Sequence, residues 1–233
     1  MQTNRVISIF GDSILKGVRM LSGTTRYGTT DDIGLESIAK SHHWILDNRS
    51  RFGCTVQKGE LLLNRQLEKG EAPAAVLLEY GGNDADFLWK EVAERPYDEH
   101  LPNTPLPVFV ETLRRMVETL RQKGVRPVLS TLPPISSERY LNWITRDGLS
   151  KENILTWLGD ANAIYRYQEK YSLAIERLAV ETGCMLVDLR SAFLEQRALL
   201  PYRCADGIHP NDAGQKLIHE VLASAADAAP ALA

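Results

Sequence analysis

The sequence predicts an α/β protein in three layers, a parallel sheet with helices on both faces. Two observations carry this. Five short apolar runs, at 5–10 (RVISIF), 43–48 (HWILDN), 75–80 (AVLLEY), 125–130 (VRPVLS) and 184–188 (CMLVD), have the length of strands. They lack clean apolar–polar alternation, as expected of strands covered on both faces. The stretches between them carry helical periodicity, and strands that alternate with helices build parallel sheets.

The elements follow in order. The first run ends on Gly11-Asp12-Ser13, and a helix is expected from Ile14 onward. In 104–124, Phe109, Leu113, Met116, Val117 and Leu120 recur at helical spacing. Thr104 suits the cap of that helix, Pro105 its first turn and Gly124 its end. In 160–182, Ile164, Tyr167, Tyr171, Ile175 and Leu178 make one apolar stripe that Gly183 closes. Asp212 is expected to cap the last helix, with Gln215 three residues on as its capping-box partner. The alanine-rich stretch 223–233 should end that helix and then fray. Two segments stand outside the scheme. Residues 85–105 hold Phe87, Trp89 and Tyr97, and residues 133–160 hold Tyr140, Trp143 and Trp157. Connections this long are expected to be lids or binding loops.

Composition narrows the function classes. The 233 residues are 44% hydrophobic and 24% charged, without internal repeat, which fits one globular domain over 1–233. Net charge is −3 and the 27 basic residues are scattered, which argues against a nucleic-acid partner. Cys54, Cys184 and Cys204 are odd in number and widely spaced, the pattern of reduced thiols in a cytoplasmic protein. The run "VISIF" after Arg5 is too short for a signal-peptide core. No stretch approaches the roughly 18 apolar residues of a membrane span. "GDSILKG" is not a phosphate loop, because Lys16 precedes Gly17 and no Ser or Thr follows. The G-x-S-x-G elbow of α/β-hydrolases fails as well, since residue 15 is Leu. His42 and His43 are adjacent and would point to opposite faces of a strand, so no metal site is expected there.

The candidate chemistry starts at Ser13. It follows the first strand, at the sheet edge where open parallel sheets hold their sites. A serine hydroxyl is a poor nucleophile until a base takes its proton. Among the five histidines, only His209 has a loaded setting, in "ADGIHPNDAGQ". Asp206, three residues earlier, can fix its tautomer and stabilise the imidazolium. Pro210 holds His209 extended. An oxyanion also needs donors. Gly53, in the loop after the second strand, allows close backbone approach. Gly81 and Gly82 of "GGND" permit unusual backbone beside the Asn83 amide. The N–H groups of Ser13 and Gly53 with the Asn83 side chain would make a three-donor hole. Taken singly, GDS is a strand-to-helix turn, GGND a glycine-rich loop and DGIHP a capped turn. Together, in this order and each after a predicted strand, they form a constellation. Cys54 has no assigned base, and Asp12 and Asp84 are read as turn-organising and positioning carboxylates.

These blocks resemble the GDSL/SGNH family of serine hydrolases. "FGDSILKG" carries the matching nucleophile, Ser13. Asn48 and Gly53 in "NRSRFG" match the second block, Asn83 in "GGND" the third, and Asp206 and His209 in "DGIHPN" the last. The resemblance implies a flavodoxin-like five-stranded sheet of order 2-1-3-4-5. It implies ester hydrolysis through an acyl-enzyme, with Ser13, Asp206 and His209 catalytic and Ser13, Gly53 and Asn83 the oxyanion hole. It implies neither metal nor cofactor. The substrate is then a small-molecule ester, an acylated sugar or a lipid-like molecule, with Trp89, Tyr140, Trp143 and Trp157 as candidate lining. Acyltransfer or thioester hydrolysis on the same residues, and an idle carbohydrate- or lipid-binding module, are the alternatives.

Overall fold

A computed structural model of the chain describes residues 5–30, 34–70 and 72–229. The strands are β1 (Arg5–Gly11), β2 (Val18–Met20), β3 (Tyr27–Thr29), β4 (Trp44–Asn48), β5 (Ala75–Glu79), β6 (Arg126–Ser130) and β7 (Met185–Val187). The helices are α1 (Leu35–His42), α2 (Val56–Glu68), α3 (Trp89–Glu94), α4 (Leu106–Gln122), α5 (Ser137–Thr145), α6 (Lys151–Leu158), α7 (Asn162–Thr182), α8 (Leu189–Leu194) and α9 (Asp212–Asp227). The described residues form a parallel sheet of order β4-β1-β5-β6-β7. Counted alone, those five strands run 2-1-3-4-5. All five match the predicted apolar runs to within a residue or two. The second begins at Trp44, because His43 is the left-handed cap of α1 (φ 54°).

The missing alternation has its cause in two cores, one on each sheet face. Phe10, Val76, Leu78 and Leu129 point to a core shared with α2, α4 and α7. Ile7, Ile9, Ala75, Leu77 and Val128 point the other way, to a core shared with α1, α8 and α9. Each large apolar side chain buried here contributes about 1.5–3 kcal/mol. Ser8, the one polar residue inside β1, is fully buried and accepts a hydrogen bond from Gln66 Nε2 of α2 at 3.3 Å.

Several local expectations need correction. No helix follows Ser13. Residues 13–17 make one turn, closed by Lys16 N–H to Asp12 O (3.1 Å) and ended by Gly17 in the left-handed region (φ 75°). The chain then runs into an antiparallel ribbon, β2 against β3, that no local sequence signal announces. Thr104 does not cap α4; Pro105 holds that position, without a side-chain cap. The last helix is capped by Asn211, whose side chain accepts from Gly214 N–H at 3.1 Å, and not by Asp212. The cap lies one residue earlier because Asn211 takes the extended conformation a cap needs (φ −84°, ψ −169°). Asp212 instead pairs with Arg19 at 2.5 Å. α9 ends at Asp227, and residues 230–233 of the alanine-rich tail lie outside the described residues.

The two long segments are partly helical. α3 lies in 85–105, and α5 and α6 lie in 133–160. Phe87, Trp89, Val92, Tyr140, Leu141, Ile154 and Leu158 close a third apolar cluster with the start of α7. Asp86 ties the segments together: its carboxylate accepts from Tyr140 OH (2.6 Å) and Trp89 Nε1 (2.8 Å). No helix among the described residues is long and apolar enough to cross a membrane. Cys54, Cys184 and Cys204 form no disulfide.

Candidate active site

The carboxyl ends of β1, β4 and β5 and the loop before α9 converge on one point. Ser13 stands on the turn after β1. Its Oγ lies 2.9 Å from His209 Nε2, and His209 Nδ1 lies 2.6 Å from Asp206 Oδ2. All three are buried, Asp206 completely. The short loop holds itself rigid. Asp206 Oδ1 accepts the amide N–H groups of Ile208 (2.9 Å) and His209 (3.0 Å), and the Cys204 amide returns to His209 O at 2.8 Å. The buried Arg203 side chain donates to Ile208 O and to Pro134 O, which fastens this loop to the segment after β6. Burial pulls the Arg203 guanidinium down to about 9.

Burial works to raise the Asp206 carboxyl. The hydrogen bond and charge of His209, with the two amides, outweigh it and hold the carboxyl below the usual range. Asp206 is therefore ionised, and it selects the His209 tautomer with the proton on Nδ1. That leaves Nε2 as an acceptor facing the Ser13 hydroxyl. The arrangement can move a proton off Ser13 and stabilise the charge that results.

Beside Ser13 lies a buried carboxyl network. Asp12 Oδ1 accepts from Ile14 N–H (2.8 Å) and Oδ2 from Asn83 Nδ2 (2.9 Å), while Glu79 Oε2 accepts the Asp12 amide at 3.3 Å. Burial pushes Glu79 well above the ordinary carboxylate range, and the Asp12 charge beside it pushes the same way. Asp12 is raised as well, by burial against its hydrogen bonds and the charge of His209. Two like charges packed this closely cannot both persist, so Glu79 holds a proton. Gly11 makes room for the pair, since a Cβ there would stand 3.0 Å from Glu79 Oε2. Asn48 supports the same turn, donating to Leu15 O at 2.7 Å. Asp84, pushed up to about 6 by burial, accepts the Val56 amide at 3.0 Å and fixes the start of α2.

The three sequence-derived oxyanion donors sit at loops on this edge. Gly53 is in the left-handed region (φ 66°), and among the described residues no acceptor takes up the amides of Ser13 and Gly53. Asn83 is held by Asp12 and by Cys54 O (3.4 Å).

A cavity of about 270 Å³ opens at Ser13 and His209, lined largely by apolar and aromatic side chains. Trp89, Tyr140 and Trp143 stand in its wall. Trp157 does not: it packs behind, against Phe87 (ring centroids 4.9 Å) and stacked on Tyr167 (6.1 Å). Phe52 and Tyr27 are among the wall residues that went unread in the sequence. The Phe52 ring stacks on His209 at 5.8 Å, and Tyr27 OH donates to Asp206 Oδ2 at 2.9 Å. Phe52 lies within a matched block, one residue before Gly53. Nothing in the sequence ties Tyr27 to a residue 179 positions away.

Fold and array together define a class: a flavodoxin-like α/β protein with a serine, a histidine and an aspartate hydrogen-bonded in series at the carboxyl edge of its sheet. The chain belongs to the GDSL-like lipase/acylhydrolase family, whose model matches residues 9–217. It is a hydrolase acting on esters. Solved structures share the fold at low identity. A lipase/acylhydrolase from Enterococcus faecalis is 18% identical over 94% of each chain, with TM-score 0.66. TesA is 21% identical over 98% of this chain and 100% of its own, with TM-score 0.61. A catalytic serine-to-alanine mutant of Axe2, an acetylxylan esterase from Geobacillus stearothermophilus, is 19% identical over 97% of this chain and 96% of its own, with TM-score 0.61. Comparison with curated proteins finds no match.

Proposed function

We propose that the chain hydrolyses small-molecule esters through an acyl-enzyme on Ser13. The observation that carries this reading is the unbroken series Ser13 Oγ–His209 Nε2 and His209 Nδ1–Asp206 Oδ2, opening on a cavity. His209 takes the hydroxyl proton as Ser13 Oγ attacks the ester carbonyl. The carbonyl π electrons move to oxygen, and the amides of Ser13 and Gly53 hold that oxyanion, joined by Asn83 Nδ2 when its longer bond to Cys54 O (3.4 Å) is given up. The oxyanion collapses, the C–O bond to the alcohol breaks, and His209 protonates the leaving alkoxide. Water then attacks the acyl-enzyme with His209 again as base, which releases the acid and restores Ser13.

The cavity favours a modest substrate. Its volume, about 270 Å³, lies near the lower end of the roughly 300–1,000 Å³ usual for ligand pockets. Aromatic walls from Trp89, Tyr140 and Trp143 suit a short acyl chain or a single sugar ring. A series of p-nitrophenyl esters from acetate to octanoate, followed by acetylated sugars, tests this on the wild-type enzyme and Ser13→Ala. Turnover lost in Ser13→Ala, with rates falling as the acyl chain outgrows the cavity, is the expected result. Full turnover in Ser13→Ala would overturn the mechanism.

A further inference from the structure

The β2–β3 ribbon touches the loop that carries His209 at three separate points. Tyr27 OH donates to Asp206 Oδ2 at 2.9 Å. The Met20 amide donates to Cys204 Sγ at 3.4 Å, and Arg19 pairs with Asp212 at 2.5 Å, at the start of α9. The ribbon is closed on itself by the register Val18–Thr29, Arg19–Gly28 and Met20–Tyr27, and Thr30 N–H returns to Gly17 O at 2.9 Å. It is thus anchored at one end to the Ser13 turn and at the other to the acid–base loop.

We propose that this ribbon clamps the acid–base loop, and that Tyr27 is a positioning residue for Asp206 and, through it, for His209. The proposal rests on the reading of Ser13, His209 and Asp206 given above. A carboxylate has about four lone-pair directions. Asp206 fills them with the Ile208 and His209 amides on Oδ1, and with His209 Nδ1 and Tyr27 OH on Oδ2. Without Tyr27 one direction is vacant, and Oδ2 is held by His209 Nδ1 alone. The ring adds a second constraint. Its centroid lies 5.0 Å from that of His209, and it is braced by Phe52 (5.5 Å) and Trp143 (6.2 Å).

Charge gives the clamp a measurable signature. A hydrogen bond from Tyr27 draws negative charge on Oδ2 away from the His209 proton. Removing it concentrates that charge on His209, so the Asp206–His209 pair keeps its proton to higher pH. The other titratable and charged groups around the pair are Asp12 and Ser13 on the β1 turn, Arg203 and Cys204 on the loop, Arg139 of α5, which donates to the carbonyls of Arg203 and Cys204, and Asp212 beyond the loop. Arg146, after α5, acts on Tyr27. None of these changes when Tyr27 becomes Phe, which keeps the ring.

The test compares wild type with Tyr27→Phe by two readouts. One is the titration midpoint of the Asp206–His209 pair, followed by NMR of the imidazole protons without substrate. The other is kcat/KM against pH on a p-nitrophenyl ester. A hydrogen bond of ordinary net strength corresponds to a midpoint higher by about 0.4–1 pH unit and a kcat about two- to tenfold lower. The acid limb of the kinetic profile should move with the midpoint. An unmoved midpoint overturns the proposal, whether the rate is unchanged or uniformly reduced, since a merely structural tyrosine would lower the rate alone. Should Tyr27→Phe fold poorly, Arg19→Ala releases the same ribbon from Asp212, and the higher midpoint must then appear there together with the fall in kcat; a fall in kcat alone overturns the proposal. Absence of ester turnover in the wild type would defeat the mechanism. The NMR midpoint would still decide the clamp.

Discussion

Replacing Asp206 with Asn exchanges one carboxylate oxygen for an amide group, and the structure dictates which way the amide must face. With its oxygen at the Oδ1 position, the new side chain still accepts from the Ile208 and His209 amides. Its NH2 then faces His209 Nδ1 and Tyr27 OH, both of which can accept. The opposite orientation sets NH2 against two amide N–H groups and loses two hydrogen bonds, about 2 kcal/mol at roughly 1 kcal/mol each. The first orientation therefore dominates by a factor of about 30. It forces the His209 proton onto Nε2, where it donates to Ser13 Oγ and cannot accept from it. Loss of the charged partner for the imidazolium removes about another 1.5–3 kcal/mol, or a factor of about 10 to 150. Together, kcat should fall by about 300- to 5,000-fold, approaching the roughly 10⁴-fold cost of this change in Ser-His-Asp triads. Steady-state hydrolysis of a p-nitrophenyl ester by Asp206→Asn, with the fold checked by circular dichroism, measures it. A loss under about tenfold would refute the tautomer argument.

Two stability effects follow from the same packing. Glu79 has its folded-state proton affinity raised by burial, so the folded protein keeps a proton that the unfolded chain gives up. Below the ordinary carboxylate range both states are protonated and nothing is lost. Above it the unfolded state ionises first and stability declines until the folded carboxyl also titrates. Glu79→Gln cannot ionise, so its melting temperature should gain on wild type at pH 8 and not at pH 4; an equal difference at both would contradict a protonated Glu79. In α2, Gly59→Ala ought to gain about 0.5–1 kcal/mol from helix propensity. A Cβ there would stand 2.3 Å from Cζ of the buried Tyr80, however. Overpacking of this kind costs about 1–3 kcal/mol, so urea melts should show a net loss of stability, and a gain would sink the packing argument.

What is legible in the sequence follows the range of the physics involved. Strands buried on both faces announce themselves by composition, so all five sheet strands can be read. So can α4 and α7, whose stripes are local. Caps are misplaced by one residue where two candidates adjoin, as at Thr104–Pro105 and Asn211–Asp212. The segments 85–105 and 133–160 carry too many aromatics for solvent, but they pack on each other, and nothing local distinguishes that cluster from a lid. The ribbon escapes because its strands have three residues each and a six-residue connection without a hairpin signal. At the site, Ser13, Asn83, Asp206 and His209 are each readable from a short block. Their partners Tyr27, Phe52 and Glu79 are not, because their roles exist only once distant elements touch. Trp157 illustrates the converse: a residue of suitable type whose position is set by Phe87 and Tyr167 behind the wall.

The central claim is that Ser13 is an activated nucleophile, and a fluorophosphonate probe tests it with no substrate to guess. Incubation of the native enzyme with the probe, followed by mass spectrometry of its peptides, should find one phosphonyl group on Ser13. Labelling should be blocked in His209→Ala and absent in Ser13→Ala. Labelling at another residue, or of Ser13 at equal rate without His209, would contradict the account.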